Sequence, residues 1–77
     1  MEIKEKVGTR LKEIRLKKEL TQEALAKITG IERTFISHIE KGSRNVSIET
    51  LDKIFKGLNI DFKYFFKSKQ FERENGR

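Results

Sequence analysis

Apolar residues recur three and four positions apart along most of the chain, the period of a helix with one buried face. Ile3, Val7, Leu11 and Ile14 form the first stripe and predict a helix over about residues 2–18. Thr21 stands where an N-cap starts a second helix. Its buried residues are expected to be Ala24, Leu25 and Ile28, with Gly30 at the C′ position. A third helix spans Glu32 to Lys41 and stops at Gly42; Ile31 and Ile36 are spaced as a hydrophobic staple around a cap at Glu32. Ser47 caps a fourth, striped by Ile48, Leu51, Ile54, Phe55 and Leu58. Asp61 caps a short fifth that carries Phe62, Tyr64, Phe65 and Phe66. No proline interrupts the pattern and no segment shows a strand pattern. The expected fold class is therefore all-α, four to five short helices in a single domain over residues 1–77, ordered over about 2–67. The tail KSKQFERENGR is charged and is expected to fray.

The third helix has two distinct faces. Wound at about 100° per residue, Ile36 and Ile39 fall together. Arg33, Thr34, Ser37 and Lys41 fall within roughly one quadrant opposite them. The second and third helices, residues 21–29 and 32–41, are joined by a tight glycine turn, which is a helix-turn-helix signature. A core-facing first helix and a polar-faced second one are what insertion into a DNA major groove requires.

Composition narrows the reading. A chain of 77 residues supports one marginal core, so stabilisation by self-association is expected. The net charge of +6 favours a polyanionic partner, although many small domains are basic for solubility alone. There is no cysteine, hence no disulfide or thiolate metal site, and the lone His38 has no partner ligand in sequence. No metal and no cofactor are expected. An enzyme is the least favoured class, because the chain lacks a phosphate-binding glycine loop and a metal-ligand cluster. No apolar run approaches the roughly 20 residues of a membrane span, and the N-terminus lacks a signal-peptide stretch. A cytoplasmic protein with no membrane partner is expected.

The segment TQEALAKITGIERTFISHIEKG, residues 21–42, resembles the helix-turn-helix of the phage-repressor-like (Xre/Cro) family. The Thr-Gln opening, the alanine in the second helix, Gly30 and the Ile-x-x-Ile-Glu-x-Gly ending carry the likeness, which extends from about Leu11 to Phe66. IEKGSRNVSIETLDKIFKGLNI, residues 39–60, with Ser-Arg-Asn after the third helix, looks more narrowly like restriction–modification controller proteins. The resemblance implies a lambda-repressor-like domain, a homodimer, and an operator of inverted repeats in double-stranded DNA. It also implies a regulator that activates when scarce and represses its own gene when abundant.

By position, the resemblance makes Arg33, Thr34 and Ser37 the base-contacting residues. The chemistry agrees for Arg33, whose guanidinium can donate two hydrogen bonds to guanine O6 and N7. Thr21, Gln22, Lys41, Arg44 and Asn45 match backbone or loop contacts, with capping or solvation as the plainer alternative. Arg15 and Glu40 match a family ion pair between the first and third helices. Leu51, Ile54, Phe55 and Phe65 are the candidates for a two-fold interface built by the last two helices. Phe35 is expected to pack, and Arg10 to face solvent. Glu23 matches a position through which some family activators touch RNA polymerase, whereas Lys27 replaces an acid those activators also use. Two other readings fit the same pattern: a phage or plasmid repressor of this fold, and an antitoxin-type module that binds DNA weakly and a protein tightly.

Overall fold

Three helices begin where a short side chain accepts a hydrogen bond from an amide that the helix leaves unpaired. In the computed structural model, which describes residues 1–72, these are α2 (Gln22–Thr29), α4 (Ile48–Leu58) and α5 (Phe62–Phe66). Thr21 Oγ1 accepts from the Ala24 amide at 2.9 Å, Ser47 Oγ from Thr50 at 3.0 Å, and Asp61 Oδ1 from Tyr64 at 2.8 Å. Before them runs α1 (Ile3–Lys17), where the Glu2 amide donates to Glu5 Oε1 at 2.8 Å. Between α2 and α4 lies α3 (Arg33–Lys41), whose N-cap Glu32 makes no side-chain capping bond. No strand occurs among the described residues.

The core gathers one stripe from each helix. Val7, Leu11 and Ile14 of α1 meet Leu25 of α2, Ile36 and Ile39 of α3, Leu51, Ile54, Phe55 and Leu58 of α4, and Phe65 of α5. Backbone approach is closest between α1 and α3. A Cβ added to Gly8 would lie 2.1 Å from the Ile39 carbonyl oxygen, so only glycine lets the two helices come together at this point. The turn between α2 and α3 has a different requirement. Gly30 adopts φ +76° with open space around it, so the left-handed conformation is what matters there. Thr29 completes that turn: its hydroxyl donates to the Leu25 carbonyl at 2.8 Å and accepts from the Ile31 amide at 3.2 Å.

Several expectations need correcting. Ile28 is 52% exposed because the slot one turn beyond Leu25 is filled by Thr29, which is buried. Ile3 and Ile48, at the starts of their helices, are also exposed. Leu51, Ile54, Phe55 and Phe65, the expected interface residues, all lie in the core of the single chain. Phe55 and Phe65 rings sit 4.4 Å apart there. Among the described residues, the large apolar side chains left to solvent also include Ile28, Phe62 and Tyr64. Arg10 does not face solvent freely. It donates from Nε to the Phe65 carbonyl at 2.8 Å and from Nη2 to Tyr64 at 3.0 Å, satisfying the last carbonyls of the five-residue α5. Order also continues past the expected end of the domain. A 3₁₀ turn at Lys69–Phe71 packs Phe71 on Phe66, with ring centroids 4.8 Å apart. The rest of the expected frayed tail, residues 73–77, lies outside the described residues.

Candidate nucleic-acid interface

A helix of nine residues is too short to hold itself in water. Packing and one ion pair fix α3 instead. Ile36 and Ile39 are fully buried in the core, where α3 packs on α1 and α2. Beside them Arg15 of α1 and Glu40 of α3 form a bidentate pair, Nε to Oε2 at 2.7 Å and Nη2 to Oε1 at 3.0 Å. Arg15 Nη1 also donates to the Leu20 carbonyl at 2.7 Å. Both side chains are almost wholly buried, and the hydrogen bond to Glu40 holds the Arg15 guanidinium above its usual pKa against the opposing effect of burial.

Gln22 extends this pair outward. Its Nε2 donates to Glu40 Oε1 at 3.1 Å, and its Oε1 accepts from Arg33 Nη1 at 3.4 Å. The amide therefore links a buried carboxylate to an exposed guanidinium at the start of α3. The remaining nitrogens of Arg33 have no partner among the described residues. Thr34 is exposed beside it, and Ser37 is half-buried one turn on. Neither hydroxyl is taken up by a hydrogen bond among the described residues. Lys41 is exposed at the helix end, and the first turn of α3 carries no acid. The outward face thus offers a forked cation with one nitrogen bonded to Gln22, two short side chains whose hydroxyls have no partner among the described residues, and a terminal ammonium. Groups of this kind bond base edges and phosphates.

The flanks differ from one another. Thr21 is exposed and its oxygen already caps α2. Arg44 lies beyond α3 with its guanidinium carbon 5.9 Å from the centroid of the Phe35 ring. Phe35 itself is half-buried and packs on the core. Asn45 turns to another environment: it lines a groove with Ile3, Lys4, Val7, Val46, Leu51 and Phe66. The structure thus joins Arg15, Glu40, Gln22 and Arg33 in one hydrogen-bonded series and sets Asn45 apart from it. Sequence reasoning missed Thr29 and Arg10. Thr29 was legible as a hydroxyl residue immediately before the turn glycine, but the bonds of Arg10 span more than 50 residues, and no local signal reports them. Among the described residues no group of three or more His, Asp or Glu side chains is placed to hold a metal, and no helix is long and apolar enough to cross a membrane.

The family model described as "Helix-turn-helix" matches residues 11–65. Control protein C.MunI from Mycoplasma sp is 42% identical over 84% of this chain and 89% of its own length. The solved restriction–modification controller C.AhdI from Aeromonas hydrophila is 38% identical over 82% of this chain and 91% of that one, with a TM-score of 0.79. The controller C.Esp1396I, solved as a tetramer in complex with its natural 35 base-pair operator, is 45% identical over 83% of this chain and 84% of that one, also at 0.79.

Proposed function

Because this chain belongs to the helix-turn-helix family, we propose that it is a dimeric, sequence-specific DNA-binding transcriptional regulator and the controller of a restriction–modification system. The observation that carries the reading is the two-sided α3. Its inner face is locked by Ile36, Ile39 and the Arg15–Glu40 pair, and its outer face carries Arg33, held at one nitrogen by Gln22, beside Thr34 and Ser37, whose hydroxyls have no partner among the described residues. A helix so fixed is a rigid reading head. In this role Arg33, Thr34 and Ser37 meet base edges, while Gln22, Lys41 and Arg44 meet phosphates that set the register. The relative whose tetramer was solved on its operator supports a DNA partner and an oligomer.

As a homodimer the chain would place two copies of α3 about 34–36 Å apart, one helical turn of DNA. Its two-fold interface would draw on the exposed Ile28, Phe62 and Tyr64 rather than on the buried stripe of α4. The controller role is tested with a reporter driven by the DNA upstream of the gene and of its neighbouring endonuclease gene. Expression should rise at low protein and fall at high protein. A steady fall from the lowest concentration would instead mark a plain repressor.

A further inference from the structure

The loop from Gly42 to Ser47 has no regular structure, yet it is anchored at both ends. Ser43 bonds the His38 carbonyl through its amide at 3.1 Å and through its hydroxyl at 3.2 Å. Val46 packs against the core. Arg44 lies between these anchors, and no hydrogen bond or carboxylate holds its guanidinium among the described residues. What it does meet is the Phe35 ring, 5.9 Å from guanidinium carbon to centroid. That ring is half-buried and packs against the core, on the helix that the same core seats. A guanidinium over an aromatic face is attracted by the ring quadrupole, and stacking uses none of its five N–H donors.

We propose that Phe35 is a positioning residue for DNA binding. Its ring holds the Arg44 guanidinium at the edge of the recognition surface with its donors free for phosphate or base. This rests on α3 being the recognition helix. It gives one residue of that helix control over where a loop residue delivers its charge. Phe35 touches DNA only through Arg44, so its contribution to affinity should vanish when Arg44 is absent.

The test is a double-mutant cycle on the full chain, with the strongest duplex that the wild type selects from a random library as probe. Phe35→Leu should weaken binding about two- to fivefold when Arg44 is present. It should change little in the Arg44→Ala background. Phe35→Tyr keeps a ring and should keep the coupling. An equal loss in both backgrounds would overturn the proposal by making Phe35 a packing residue only. Proton NMR of the free wild type supplies a second readout that needs no variant to fold. Nuclear Overhauser contacts between the Phe35 ring protons and the Arg44 side chain are expected, and their absence would overturn the contact. If the wild type selects no sequence, the reading of α3 fails and the purpose of the contact fails with it, while the Overhauser contacts still decide whether Phe35 and Arg44 meet.

Discussion

Arg33 and Lys41 occupy the same helix and carry the same charge, but their surroundings separate them. Arg33 is tethered by Gln22 at 3.4 Å, so its fork points from a fixed origin. Lys41 ends the helix as a mobile point charge with no tether among the described residues. Arg33→Ala should therefore cost about 1–3 kcal/mol at the selected site and relax the preference at one base pair. Lys41→Ala should weaken all duplexes alike and reduce the salt slope by about one. Titrations against single-base variants of the operator at two salt concentrations would distinguish the two. Glu40 acts at a different level. Removing it strands the buried Arg15 guanidinium, so Glu40→Ala should destabilise the fold by about 3 kcal/mol, read as a lowered urea midpoint.

At the scale of elements, the helices were legible because each boundary carries a chemical mark. Thr21, Ser47 and Asp61 carry the side chains of N-caps, and each accepts the expected amide. Gly30 and Gly42 stand where helices stop, and both adopt positive φ. What the pattern could not give was the depth of each apolar residue. Leu25 and Ile28 are three apart and look equivalent on a wheel, but Gly57 of α4 approaches Thr29 and only the Cγ2 edge of Ile28, which stays half in solvent. The close approach of α1 and α3 was equally silent, since a glycine within a helical stripe does not announce what it touches. Two substitutions expose the difference between glycines. Gly8→Ala must push α1 off the Ile39 carbonyl, and should lower stability by about 2 kcal/mol or more. Gly30→Ala meets open space and should cost only about 1 kcal/mol, for its positive φ. Thermal melts of both variants would check the order.

At the scale of the whole molecule, the candidate site was more legible than the interface between copies. The residues proposed for DNA lie on one short helix and its flanks, where sequence spacing translates into geometry. An apolar stripe, by contrast, does not say whether it is buried within one chain or between two. Leu51, Ile54, Phe55 and Phe65 are interior, whereas Ile28, Phe62 and Tyr64 are among the apolar side chains exposed to solvent. Ile28→Glu should leave the monomer folded, as the side chain is 52% exposed, and should shift the chain from dimer to monomer in sedimentation equilibrium. Operator affinity should fall with it, because two half-sites would then be bound independently.

The claim that joins these scales is that α3 reads base sequence and that two copies do so together. Selection of bound duplexes from a random library by the purified chain, at near-physiological salt, tests it most directly. The account predicts enrichment of an inverted repeat whose half-site centres lie about one helical turn apart. A folded protein that enriches no sequence, or binds every duplex alike with only a salt-dependent affinity, would contradict it.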